Sequence, residues 1–210
     1  MTTARRPSYL FTSDWFSARI PQWLESIGHL RGQRGLCALE LGSYEGRSAI
    51  WMLENLLTGE GCTLTCVDRF DEDDGTIERR FDLNIGLSGR AACVRKIKGD
   101  SLDVLKTLPP AHFDLIYVDA SHDGEHVLED VVLAFSCLKQ GGVMVVDDYR
   151  WRWEADSVFA KGRAFGNPIH ELDLQTRVDP GVAIRGFLAA NARRAEVVSC
   201  DWQLFVRRTR

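Results

Sequence analysis

The chain has 210 residues and a net charge of −4, with 45% hydrophobic and 27% charged side chains. That composition is ordinary for a folded domain with a sizeable core, and the acidic balance excludes the basic footprint of a nucleic-acid binder. No apolar run approaches the roughly 20 residues of a membrane span, and Arg5 and Arg6 are not followed by the apolar stretch of a signal peptide.

In chain order, Ser13–Leu30 repeats Trp15, Phe16, Ile20, Trp23, Leu24 and Ile27 at about helical spacing, and Pro21 predicts two short helices or one kinked helix. The apolar run Leu36–Leu41 predicts the first strand. It leads into Gly42 and Gly46 and then an amphipathic helix over Glu45–Leu57. Strand, glycine turn and helix in this order bring backbone and a helix N-terminus close to a ligand. The E-x-G-x-x-x-G spacing of Glu40, Gly42 and Gly46 is not the dinucleotide fingerprint. Cys62–Val67 predicts a second strand ending in Asp68, followed by an acidic loop at Phe70–Gly75 and a helix over Ile77–Leu87. Ala91–Ile97 is the third strand and Asp100–Leu108 a short helix. Phe113–Val118 is the fourth strand, ending at Asp119. Gly124–Leu138 is a helix, and Gly142–Val146 the fifth strand, ending in Asp147-Asp148.

Regular alternation of strand and helix implies an α/β fold, a parallel sheet with helices on both faces. Tyr149–Asp179 then loses periodicity and reads as an irregular lid. Pro180–Asn191 reads as a helix, and Ala195–Cys200 with Trp202–Arg207 as two closing strands. The expectation is one domain over 1–210: a helical preface (1–35), a core (36–148), a lid or substrate segment (149–179) and a closing helix and hairpin (180–210). The six cysteines fall mostly inside these elements, as buried thiols in a reducing, cytoplasmic compartment would. Cys62 and Cys66 share a strand face, but no second Cys/His pair completes a zinc set.

Acidic or polar residues sit at the end of every parallel strand, where open sheets bind ligands. Asp68 can accept both hydroxyls of a ribose and Asp100 an adenine amino group, although Asp100 also reads as a helix cap. The Gly42–Gly46 turn can receive an amino-acid tail.

These stretches, LELGSYEGRS, TCVDRF, GDSLDVL, FDLIYVDASHDGEHVLEDV and LKQGGVMVVDDY, span about residues 36 to 149. Together they resemble the class I S-adenosylmethionine-dependent methyltransferases. Within that class they are similar to the small-molecule O-methyltransferase group that includes macrolide-sugar O-methyltransferases and cephalosporin-hydroxylase-like proteins. The resemblance implies a Rossmann-like, seven-stranded, mostly parallel sheet with a C-terminal antiparallel hairpin. It implies cofactor contacts at Glu40, Gly42, Ser43, Gly46, Ser48, Asp68, Asp100 and Ser101, with Asp119 near the cofactor amine.

Asp119, Asp147 and Asp148 end the fourth and fifth strands, which are neighbours in this fold. Oxygen-only ligands suit Mg²⁺ or Mn²⁺, and relatives that bind a divalent cation carry an acidic residue at each position. His122 follows Asp119 by three residues, and macrolide-sugar enzymes have a histidine at this spacing proposed as the base. Its simpler role is to bond backbone at a helix entry. The expected activity is methyl transfer to a hydroxyl of a small molecule (a sugar, phenol or catechol), assisted by the metal, with His122 and Asp119 catalytic. A metal-independent N-methyltransferase and a non-catalytic S-adenosylmethionine-binding protein stand as alternatives. Neither nucleic acid nor membrane is an expected partner, and the aromatics of the first thirty residues suit a homodimer.

Overall fold

The apolar runs of the sequence become seven strands in the computed structural model, which describes residues 8–152 and 178–210. They are β1 (Cys37–Leu41), β2 (Thr63–Asp68), β3 (Val94–Lys98), β4 (Phe113–Val118), β5 (Leu138–Val146), β6 (Ala195–Cys200) and β7 (Leu204–Arg208). The sheet order is β3-β2-β1-β4-β5-β7-β6. β2 is parallel to β1 and β3, β5 is parallel to β4, and β7 runs antiparallel to both β5 and β6. The expected sheet, mostly parallel with an antiparallel close, is the one found. The chain divides into two compact units, Met1–Ser101 and Leu102–Arg210.

The first unit holds β1 to β3 with α1 (Ile20–Ile27), α2 (Arg47–Asn55) and α3 (Thr76–Leu87). Leu39, Leu41, Leu64 and Cys66 are fully buried, as expected of parallel strands covered on both faces. Pro21 does not kink a longer helix. It sits in the first turn of α1, where its missing N–H leaves no bond unmade. Short 3₁₀ turns at Ser17–Arg19 and Gly28–Leu30 flank α1. Trp23 packs edge-on to Phe16 at 5.3 Å and to Trp51 at 5.6 Å. Aromatic pairs of this kind add about 0.5–1.5 kcal/mol each beyond the area they bury.

The second unit holds β4 to β7 with α4 (Ser101–Leu105, its first residue at the boundary), α5 (Gly124–Cys137) and α6 (Pro180–Ala190). Asp123 caps α5 by accepting the Glu125 N–H. On the inner face of α5, Phe135 meets Phe187 of α6 edge-on at 5.1 Å. Several boundaries differ from expectation. β3 starts at Val94, not Ala91, because Ala91–Cys93 forms a 3₁₀ turn before it. β5 starts at Leu138 because Leu138 pairs with Phe113 before a register shift, adding residues that the glycines 141 and 142 obscure. The helix expected over Asp100–Leu108 ends at Leu105. There the bonds tighten to i→i+3, and the Thr107 hydroxyl donates to the Val104 carbonyl. β7 starts at Leu204, where pairing with Val146 begins; the Trp202 and Gln203 carbonyls accept instead from Tyr149 and Asp201 in the turn before it. Most of the expected lid, residues 153–177, lies outside the described residues. No helix among the described residues is long and apolar enough to cross a membrane.

Candidate active site

In the first unit the glycine turn closes on Asp68. Gly42 and Gly46 adopt left-handed backbone, with φ of +83° and +84°, a conformation open to glycine at little cost. Gly46 starts α2 with no side-chain cap, which leaves that helix N-terminus open to a ligand's polar tail. The Asp68 carboxylate at the end of β2 accepts two backbone N–H groups, from Tyr44 at 2.8 Å and from Phe70 at 2.7 Å. Each of its oxygens retains a second lone pair, so a vicinal diol can still be accepted. Glu40 is fully buried and takes the Ser48 hydroxyl at 2.5 Å and the Cys66 thiol at 3.7 Å. Burial pushes the Glu40 carboxyl up to about 7, against the pull of the Ser48 hydroxyl. Ser43 is buried beside the Glu40 carboxylate, which its hydroxyl helps to hold. An open helix N-terminus and a braced carboxylate fit a nucleoside carrying an amino-acid tail. Asp100 and Ser101 lie where expected, just past the end of β3.

A strap that the sequence does not advertise fastens this turn. Glu45 is buried, and its carboxylate accepts the Thr12 N–H and hydroxyl, both at 2.7 Å, and an Arg80 N–H at 2.8 Å. Burial raises the Glu45 pKa, but these donors outweigh it and hold the carboxyl below its usual range. Asn84, also buried, bonds both the N–H and the carbonyl of Leu10 and reaches the Glu45 carbonyl. The strap carries Trp15 onto Tyr44, with ring centroids 5.3 Å apart.

In the second unit, His122 Nε2 lies 3.1 Å from Asp148 Oδ2. Trp202 donates its indole N–H to Asp148 Oδ1 at 3.2 Å, and Trp151 packs edge-on against the His122 ring at 4.9 Å. Asp148 takes a left-handed backbone, φ +56°, which turns its side chain away from that of Asp147. Asp147 and Asp119 meet instead at the buried Tyr117 hydroxyl, 2.5 and 2.9 Å from their respective Oδ2 atoms. Gln203, fully buried, donates to Asp147 Oδ2 at 2.9 Å and to the Tyr117 oxygen at 3.1 Å. Asp147 Oδ1 takes the Asp148 N–H at 2.7 Å. Burial, followed by the charges of Asp119 and Asp147, pushes the Tyr117 pKa well up, so it keeps its proton.

The expected metal set of Asp119, Asp147 and Asp148 is therefore not assembled. Among the described residues no group of three or more His, Cys, Asp or Glu side chains is placed to hold a metal ion. The physical reason is the turn at Asp148, which gives that carboxylate to His122, and the phenol standing between the other two. His126, one helical turn on, is exposed. All six cysteines are free thiols, and Cys62 and Cys66 bond separately to the Gln33 carbonyl and to Glu40, not to a shared ion.

Sequence reasoning missed Glu45, Asn84, Tyr117, Trp202 and Gln203. Only Gln203 left a signal, as a polar residue inside a closing apolar run.

A methyltransferase-domain family profile matches residues 39–149. The chain is 31% identical to an O-methyltransferase of Aspergillus hancockii over 132 residues, covering 62% of this chain and 49% of that one. It is 30% identical to a catechol O-methyltransferase of Mycobacterium tuberculosis over 110 residues, covering 52% and 46%. The match spans about half the length of these relatives. Among solved structures, the O-methyltransferase TomG of Streptomyces achromogenes, in complex with S-adenosylmethionine, shares the fold. Its TM-score is 0.62 at 24% identity, covering 92% of this chain and 81% of that one.

Proposed function

The chain belongs to the methyltransferase-domain family, and from that premise we propose that it transfers a methyl group from S-adenosylmethionine to a hydroxyl of a small molecule. S-adenosylmethionine supplies, when bound, a methyl group on a sulfonium. Asp68 would hold the ribose, and the Gly42–Gly46 turn the amino-acid tail. The observation that carries the hydroxyl reading is the His122–Asp148 pair, 3.1 Å apart. An amine nucleophile needs no such base, whereas a hydroxyl must lose its proton as the new bond forms.

Asp148 accepts from Nε2 and so leaves the lone pair on Nδ1 of His122. Nδ1 of His122 would take the proton of the acceptor hydroxyl as the methyl group is transferred, and Asp148 would steady the imidazolium that results. Trp202 keeps Asp148 in place for this, and Trp151 limits the swing of the imidazole. A sugar, phenol or catechol hydroxyl suits this chemistry.

Two measurements test the reading. Calorimetric titration of S-adenosylhomocysteine should show binding to the wild type, weakened at least about tenfold in Asp68→Ala by loss of a charge-assisted bond. Absence of binding to the wild type refutes methyl transfer. Release of S-adenosylhomocysteine with a panel of phenols, sugars and amines should favour hydroxyls and fall about 10²–10⁴-fold in His122→Ala. Turnover of amines alone, undiminished in that variant, refutes the base.

A further inference from the structure

Five of the six oxygens of Asp119, Asp147 and Asp148 already face donors of this chain. Asp147 Oδ2 takes Tyr117 and Gln203, and its Oδ1 takes the Asp148 N–H. Asp148 takes Trp202 on one oxygen and His122 on the other. Asp119 Oδ2 shares the Tyr117 hydroxyl. A divalent cation of the Mg²⁺ kind needs oxygens about 2.0–2.1 Å away in near-octahedral array. The atom within hydrogen-bond reach of both Asp119 Oδ2 and Asp147 Oδ2 is the Tyr117 phenol oxygen, which takes the place of a cation bridging those two atoms. Tyr117 and Gln203 are 1% and 0% exposed, so neither can swing into solvent to make room. Gln203 aims its amide at the phenol oxygen and at Asp147 together, which braces the hydroxyl from the far side.

We propose that Tyr117 and Gln203 stand in for the cation, so that this site works without a divalent metal. Resting on the methyl-transfer reading above, the inference gives the carboxylates separate tasks. Asp119 and Asp147 are fixed by hydrogen bonds from the sheet interior. Asp148 is released from ligation and orients His122. Tyr117 and Gln203 are positioning residues: they act through the aspartates.

The test is binding of Mn²⁺ by electron paramagnetic resonance, with S-adenosylhomocysteine present, to wild type, Tyr117→Phe and Gln203→Leu. The wild type should leave Mn²⁺ in solution, and its melting temperature should not move with Mg²⁺. Tyr117→Phe removes the phenol oxygen from between the two Oδ2 atoms, leaving only Gln203 on that of Asp147, and should raise Mn²⁺ affinity at least about tenfold, the scale of changes around metal ligands. Gln203→Leu, which loosens the phenol without removing it, should shift affinity the same way and serves if the first variant does not fold. Stoichiometric Mn²⁺ on the wild type overturns the proposal. Solution Mn²⁺ in all three proteins overturns the assignment of the phenol as the obstacle. The S-adenosylhomocysteine titration is read separately, so its failure refutes methyl transfer without touching the metal result.

Discussion

Replacing Glu40 by Gln should change the pH dependence of stability in a defined direction. In the folded protein burial raises the Glu40 carboxyl from 4.5 to about 7. The folded chain therefore holds this proton to higher pH than the unfolded chain does. Its contribution is intact below pH 4.5, declines as pH rises, and is fully lost above about 7. At about 1.4 kcal/mol per pH unit between the two values, the loss totals about 3 kcal/mol. Gln keeps an acceptor for the Ser48 hydroxyl and has no proton to lose. Urea unfolding of both proteins across pH 4 to 9 is the assay. Relative to wild type, Glu40→Gln should gain about 3 kcal/mol between the acid and alkaline ends, most of it below neutrality. A stability difference that stays constant with pH refutes the reasoning, because the buried carboxyl would then titrate as it does in the unfolded chain.

Two further outcomes follow from the glycine turn. Gly46→Ala puts a Cβ 3.1 Å from Phe81 Cδ2 in left-handed backbone and should cost about 1–2 kcal/mol in urea unfolding, with weaker S-adenosylhomocysteine binding by calorimetry. Glu45→Ala strips the acceptor from Thr12 and Arg80. It should cost about 1–3 kcal/mol for donors left unpaired and open the strap to limited proteolysis near Thr12.

The strand ends were legible in the sequence because apolar runs stop at charged residues or, after β1, at a glycine turn. Asp68, Asp119 and Asp147 were all found that way. What each carboxylate touches was not legible. Tyr117 reads as one more large residue in FDLIYV, yet its hydroxyl joins Asp119 to Asp147, which lies thirty residues away in sequence. Asp148 follows Asp147 directly, so the pair reads as two ligands. A single positive φ sends the second side chain to His122. Glu45 sits where a helix should begin with an acid favouring the dipole. Its partners Thr12 and Arg80 lie 33 and 35 residues away, beyond any local pattern. Pro21 was legible as a break but not as a start, since only the position of the preceding turn decides between them.

The order β5-β7-β6 also bears on the sequence of events during synthesis. β6 is made before β7, and among the described residues β7 is its one partner in the sheet. Until β7 arrives, β6 has none of the described strands to join and β5 lacks its β7 neighbour, leaving an edge of the kind that recruits other chains. Gln203 lies immediately before β7 and reaches the Tyr117 phenol. The step that closes the edge therefore also locks the aspartates, and a nascent chain halted before that step would be at once sticky and without a finished site.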